Sequence, residues 1–341
     1  MLRDQITIII PEHNRPEHLR RLLDYFLSFG LQIIVADSSN IKFKYLAEFD
    51  HLIAYRFFPG EDLAAKLNKV VELIKTPYVV MCANDDFLVP KAIEDIIEFL
   101  ELNPEYNSGQ GVYTDFKFLN GEICSSLRYK ETTDINLNSD LAMDRLFALQ
   151  KKYFQYYYAV FRTETFEKVI KSVICDSESQ IQNLCLLESY VSCFSAIDGK
   201  HIIMPIFYAA RENMETSAAT ETDTIPEVIQ KQKYRAQYRN HLNLLSIHLA
   251  NIDNIKYEAA FEHVENAIKI YILQLYPNFF TVKGKLVFSI RSLLKRYGIL
   301  RLLQQFRAKK NDLTALPINI SNSEELKVIE FYIKKYDFIY K

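Results

Sequence analysis

Tryptophan is absent from this sequence of 341 residues, and glycine occurs only 8 times. No glycine-rich phosphate loop stands near the amino terminus, which argues against a sugar nucleotidylyltransferase. No apolar run approaches the roughly 18 residues that a spanning helix requires, and no charged-then-apolar signal pattern opens the chain, so a cytoplasmic location is expected. The five cysteines, Cys82, Cys124, Cys175, Cys185 and Cys193, are odd in number and lack the paired spacing of a zinc site or redox motif. They read as buried thiols in a reducing compartment. Repeats and low-complexity tracts are also missing, and with a formal net charge of −2 no nucleic-acid partner is expected.

What is present is an ordinary globular composition, long enough for one large domain and a smaller appendage. The 22 Tyr and 23 Phe suit either carbohydrate stacking or a plain core. An apolar strand at 5–10 runs into Pro11-Glu12-His13-Asn14-Arg15-Pro16, and a helical period follows over 17–29. A second strand at 32–36 ends at Asp37-Ser38-Ser39. A strand over 52–57 and a helix over 62–74 lead to Tyr78-Val79-Val80-Met81-Cys82-Ala83, which stops at Asn84-Asp85-Asp86. Strands alternating with helices predict an α/β fold with a mainly parallel sheet. In such sheets ligands bind at the carboxyl edge, where these three polar clusters should meet.

Four segments, 7–16, 33–39, 65–68 and 75–90, resemble in order and spacing the family-two glycosyltransferases of the GT-A fold. The resemblance implies transfer of a sugar from a nucleotide-sugar donor to an acceptor hydroxyl in the synthesis of a bacterial surface glycan, with inversion. It implies that Pro11, Glu12, Asn14 and Arg15 border the nucleotide base and ribose, that Asp37 with Ser38 binds the base or ribose edge, and that Lys66 faces the diphosphate. Asp86 and Asp85 would hold a divalent cation, Mg or Mn, against that diphosphate, with Asn84 in a place where many relatives carry a further carboxylate. Carboxylate oxygens suit such hard cations. The plainer reading of Asn84 and Asp85 is a cap for the helix expected after Pro90.

A helix at 91–102, a strand at 111–118 and the hairpin signal Asn120-Gly121 come next. The aromatic run Tyr153 to Tyr158 either stacks on an acceptor or forms a buried strand. A helix over 179–197 precedes Asp198-Gly199-Lys200, and the resemblance implies an acidic base on it. Glu188 is the first candidate, with Glu178 and Asp176 in reserve. Arg211 either reaches a donor phosphate or is structural, and residues 216–224 read as a mobile loop. The expected organisation is a transferase domain over 1–215, with its donor half over 1–120 and its acceptor half over 121–215, followed by a helical region over 225–341. Between Lys283 and Lys310 there is no Asp or Glu, while Arg291, Lys295, Arg296, Arg301, Arg307, Lys309 and Lys310 alternate with apolar residues. Such a helix either lies on an anionic membrane surface near a lipid-linked glycan acceptor or packs on its own protein or in a homo-oligomer. The non-enzymatic alternative is a degenerate transferase domain that binds glycan or scaffolds an assembly.

Overall fold

In the computed structural model, residues 2–119, 121–128, 137–154, 156–174, 180–214, 222–296, 314–315, 318–320 and 323–340 are described. The chain opens with β1 (Ile6–Glu12) and α1 (Pro16–Leu27), which starts on a proline whose fixed φ suits a first helical turn. Next come β2 (Gln32–Asp37), α2 (Leu46–Phe49) and β3 (Ala54–Phe57). Helix α3 (Leu63–Val70) begins where the Asp62 side chain accepts the Ala65 N–H. After β4 (Tyr78–Met81) and β5 (Phe87–Leu88), α4 (Pro90–Leu102) again starts on proline. The second half adds β6 (Tyr106–Leu119), β7 (Glu122–Arg128), α5 (Ala142–Lys151), β8 (Val160–Arg162), α6 (Thr163–Val173), α7 (Leu184–Asp198) and β9 (Lys200–Glu212).

Among the described residues these strands form one nine-stranded sheet, ordered β3-β2-β1-β4-β8-β6-β9-β5 with β7 paired to β6. The β3-β2-β1-β4 half is parallel, and β6 with β9 is parallel too. Strand β8 joins the two halves by antiparallel pairing to β4 and β6. The β6–β7 hairpin sets Leu119 opposite Glu122, and Gly121 takes φ +84, the left-handed conformation its turn requires.

Alternation along β1 divides the core. Ile9 joins α3, α5, α6 and α7 on one face, while Ile8 and Ile10 join α1 and α4 on the other. The helices Arg235–Ile252 and Tyr257–Leu275 pack into the first cluster through Leu245, Leu249, Val264 and Ile268. The helix Glu324–Lys335 packs into the second through Leu326, Ile329 and Ile333. The chain therefore returns, at its end, to the back of α1.

Three expectations change here. Helix α7 begins at Leu184, five residues later than its period suggested, because the Asn183 side chain caps it by accepting the Leu186 N–H. Among the described residues the aromatic run before β8 forms no strand; Phe154, Tyr156 and Tyr157 are buried in the same core cluster as α7. Cys124 is exposed rather than buried, since it stands on the outward side of β7, where burial alternates.

Candidate active site

The sheet's switch point locates the site. From β1 the chain crosses through α1 on one face to β2, and from β3 through α3 on the other face to β4, which returns beside β1. The carboxyl ends of β1 and β4 therefore part around a crevice, the place where open α/β sheets bind ligands. The structure brings Glu12 at the end of β1, and Asn14 and Arg15 after it, to Asn84, Asp85 and Asp86 after β4, with Asp37 ending the neighbouring strand β2.

Hydrogen bonds fasten these loops. Arg15 Nη1 donates to Asp85 Oδ2 at 2.6 Å. Asn84 Nδ2 donates to Glu12 Oε2 at 2.5 Å, and the Arg15 N–H donates to Glu12 Oε1 at 2.6 Å. Asn14 sits in the left-handed region at φ 56, where Asn is tolerated better than most residues. Its N–H donates to Ser39 Oγ at 2.7 Å and its Oδ1 accepts from the Asn40 N–H at 3.0 Å, so it ties the β1 turn to the β2 turn.

Asp37 is fully buried; Oδ1 accepts from the Ser39 N–H at 2.8 Å and Oδ2 from the Tyr55 hydroxyl at 2.5 Å. Beside it, Glu12, Asn14, Asp37, Ser39, Ile41 and Phe43 help to line a cavity of about 310 Å³. Burial raises the Glu12 carboxyl to about 7, against the lowering effect of its hydrogen bonds to Asn84 and the Arg15 N–H. Lys66 is buried and committed elsewhere than expected. Its Nζ donates to the Glu12 carbonyl at 2.6 Å and to Ser38 Oγ at 3.0 Å, and burial lowers its pKa to about 8. It fastens β1 to the β2 turn, and Pro11 stands in β1 opposite Ala36.

The two aspartates differ. Asp86 is buried; its Oδ1 accepts the Glu212 N–H at 3.1 Å and its Oδ2 the Arg211 Nε–H at 3.2 Å. Burial raises its pKa to about 7 despite the nearby Arg211 charge. Asp85 has a more accessible carboxylate, 13 % exposed against 7 % for Asp86. Among the described residues no three His, Cys, Asp or Glu side chains converge as a ready-made metal cluster. A divalent cation held by one or two carboxylates plus donor phosphates still fits, with Asp85 the more accessible of the two aspartates.

On α7, Glu188 is half-buried. Among the described residues none hydrogen-bonds its carboxylate. Burial raises it to about 7, with the charges of Arg211 and then Arg128 opposing that rise. Its negative charge adds to the burial that holds the phenols of Tyr153, Tyr157 and Tyr158 well above their ordinary range. Arg211 spans both sides, with its guanidinium carbon 5.8 Å from the Tyr158 ring centroid and its Nε on Asp86. Asp176, Glu178 and residues 216–221 lie outside the described residues.

Sequence reasoning missed Arg21. It is fully buried on α1; Nη2 donates to the Asp85 carbonyl and to Glu212 Oε2, both at 2.9 Å, and Nη1 donates to the Tyr340 hydroxyl at 2.5 Å. Three residues after His18 and four before Tyr25, it shares their helix face, and that position was the available signal.

Residues 7–169 match the family model described as Glycosyl transferase family 2. Among solved structures the chain is similar to Staphylococcus aureus TarS 1–349 in complex with UDP-GlcNAc, with a TM-score of 0.52 and 12 % identity over 82 % of this chain and 77 % of that one. It is also similar to TarS 1–349 in complex with UDP, with a TM-score of 0.49 and 11 % identity over 82 % of this chain and 73 % of that one. At such identity the first likeness shows a shared fold. Among curated proteins none matches.

Proposed function

Starting from residues 7–169 as a glycosyl transferase family 2 domain, we propose that this glycosyltransferase moves a sugar from a nucleotide-sugar donor to an acceptor hydroxyl by inverting displacement, in the synthesis of a bacterial surface glycan. The observation that carries the reading is Glu188, a carboxylate with no hydrogen-bond donor among the described residues, charge-coupled to the Arg211 that grips Asp86. In this reading base and donor loop share one cleft, with Arg211 between them. In this reading the acceptor oxygen attacks the anomeric carbon while Glu188 takes the hydroxyl proton. The bond from that carbon to the diphosphate oxygen breaks, and its electron pair leaves with the nucleoside diphosphate. General-base help of this kind contributes about 10²- to 10⁴-fold.

The nucleoside enters the cavity between Glu12, Asp37 and Phe43, and Arg15 and Arg211 flank the diphosphate. We assign Asp85 rather than Asp86 as the ligand of a divalent cation, because both Asp86 oxygens accept, from Arg211 and the Glu212 N–H, whereas Arg15 engages Oδ2 of the more accessible Asp85. Such a cation supplies Lewis-acid neutralisation of the leaving diphosphate. The degenerate-scaffold reading draws on the same Arg–Asp pairs, which engage both aspartates.

A membrane surface completes the proposal. In the helix Val282–Arg296, Val282, Leu286, Val287 and Ile290 are 89, 62, 49 and 49 % exposed, and Phe288 packs inward against Tyr276 and Phe279. An acid-free helix with an uncovered apolar row fits the surface of an anionic bilayer, where a lipid-linked acceptor would lie. No helix of the described residues is long and apolar enough to cross a membrane.

A thermal-shift panel of UDP, GDP, CMP and dTDP, with and without Mn²⁺, tests the donor assignment, followed by nucleotide release from the matching sugar nucleotides. UDP leads the panel because TarS, similar in fold, is solved with UDP-GlcNAc. A ligand at 100 times its Kd adds about 2.7 kcal/mol to stability. No shift with any nucleotide, and no release, leaves the scaffold reading.

A further inference from the structure

We propose that the groove between the helices Arg235–Ile252 and Tyr257–Leu275 binds an acidic oligosaccharide, the body of an acceptor glycan whose end is extended in the cleft. The chemistry of the groove stands by itself; only its role as an acceptor subsite rests on the transferase reading above.

The helix Arg235–Ile252 commits one face to the core, where the His241 ring meets Tyr190 of α7 at 5.9 Å and the His248 ring stacks on Phe194 at 3.9 Å. Its other side carries Ala236, Arg239, Asn240 and Asn243, which with Tyr257 and Phe261 of the next helix line a groove of about 580 Å³, a size that suits a small ligand. No Asp or Glu lines it; Glu258 and Glu262 stand one residue further round the second helix. Arg239 is exposed and has no ion-pair partner among the described residues, so its N–H donors are open to a ligand. The Tyr257 hydroxyl donates to Asn243 Oδ1 at 2.8 Å, which occupies the acceptor side of that amide and leaves its two N–H groups as donors. A donor-rich lining without carboxylates takes a ligand rich in acceptors, and a guanidinium matches a carboxylate in two-pronged geometry. The Tyr257 and Phe261 rings, with centroids 6.1 Å apart and Tyr257 40 % exposed, add apolar faces. An acidic sugar combines these needs, since its ring carries C–H groups on the face and oxygens at the edge. The second helix connects the groove to the cleft. Tyr257 and Phe261 stand 14 and 10 residues before Tyr271, about 21 and 15 Å along a helix that rises ~1.5 Å per residue. The Tyr271 ring lies 5.1 Å from that of Tyr153, whose phenol senses the Glu188 charge. One sugar does not bridge that distance, whereas a chain of several does.

Calorimetry on the full chain without nucleotide tests the groove, with tetragalacturonate as the acidic probe, maltotetraose as its neutral counterpart and tripolyphosphate as an anion without a sugar face. Tetragalacturonate should bind about tenfold or more tightly than either control, because only it offers both carboxylates and sugar rings. Arg239→Gln and Tyr257→Ala should each weaken it about tenfold or more, while Tyr257→Phe, which keeps the ring, stays within about threefold of the unaltered protein. The affinity for the nucleoside diphosphate that responds in the thermal-shift panel should not move in any of them. Should Tyr257→Ala not fold, Arg239→Gln decides alone, since its side chain is exposed and no packing is lost with it. No binding of tetragalacturonate at millimolar concentration, or equal binding of either control, overturns the inference. So does binding that survives both groove variants and is lost when Lys283, Lys285, Arg291 and Lys295 are changed to Gln, which places the anion on the helix Val282–Arg296. All of these results leave the transferase reading intact. Tetragalacturonate held in the groove by a protein that binds no nucleotide supports the glycan site and overturns the transferase reading instead.

Discussion

Glu188 and the two aspartates carry the residue-scale expectations. Glu188→Gln should reduce transfer by about 10²- to 10⁴-fold and leave nucleotide affinity nearly unchanged, because an amide of the same shape cannot take the acceptor's proton. In the unaltered enzyme kcat/KM should rise with pH through an apparent pKa near the 7 to which burial raises Glu188, since only the ionised form is a base. The stability effect runs the other way. A carboxylate raised in the folded state loses stability as pH climbs from its ordinary value of 4.5 toward 7. Glu188→Gln should therefore melt higher than the unaltered protein at pH 8 and alike below about pH 4.5. A pH-independent melting difference means that folding does not raise Glu188, and an active Glu188→Gln with a dead Glu178→Gln moves the base to Glu178. For the metal, Asp85→Ala should abolish the Mn²⁺-dependent part of nucleotide binding in a chelator-controlled titration. Asp86→Ala should instead lower the melting temperature first, since it strips partners from Arg211 and the Glu212 N–H. Equal metal dependence in Asp85→Ala and the unaltered enzyme removes Asp85 from that role.

At the scale of elements, the site depends on how α1, the β4 loop, the end of β9 and the carboxyl-terminal segment are bolted together. Arg21, on α1, reaches the other three, and outside this hub Lys335 Nζ meets Asp24 at 2.8 Å while the Tyr336 hydroxyl bonds the same carboxylate. The Tyr340 ring lies 4.8 Å from Phe118. Replacing Glu212 by Gln leaves a buried guanidinium without its counter-charge, a change that costs about 3–5 kcal/mol in comparable buried pairs. Denaturant unfolding should show a loss of that order, against less than about 1.5 kcal/mol for Tyr340→Phe, which removes one neutral hydrogen bond. A Glu212→Gln variant as stable as the parent would mean that Arg21 is satisfied by the Asp85 carbonyl and Tyr340 alone.

At the scale of the molecule, the helix Val282–Arg296 presents an apolar row that is exposed among the described residues. Near the acid-free helix, Leu275 and Phe280 are 50 and 42 % exposed, extending the apolar row of Val282, Leu286, Val287 and Ile290. Binding to vesicles containing anionic lipid should fall as salt rises, because the attraction between Lys or Arg and the surface, about 1 kcal/mol each, is screened. Leu286→Glu/Ile290→Glu should abolish vesicle binding, and changing Lys283, Lys285, Arg291 and Lys295 to Gln should weaken it, with transfer to a soluble acceptor retained in both. A protein that ignores anionic vesicles at low salt, yet changes its sedimentation with Leu286→Glu, uses this face between copies of itself.

The sequence by itself determined the parallel half of the sheet, since buried strands, proline-started helices and capped turns are local patterns written in neighbouring residues. It also determined that Glu12, Asp37, Asn84, Asp85 and Asp86 stand at strand ends, because strand length and period place them there whatever packs around them. It did not determine what those groups bond to. That Lys66 turns back onto Glu12 and Ser38, that Asp86 is sealed by Arg211 and the Glu212 N–H, and that Arg21 reaches Tyr340 all depend on pairs 28 to 319 residues apart. Only the tertiary structure decides such contacts, for a physical reason. A side chain's charge and shape are fixed by its sequence, but its burial and its partners are set by which distant strands the fold brings side by side.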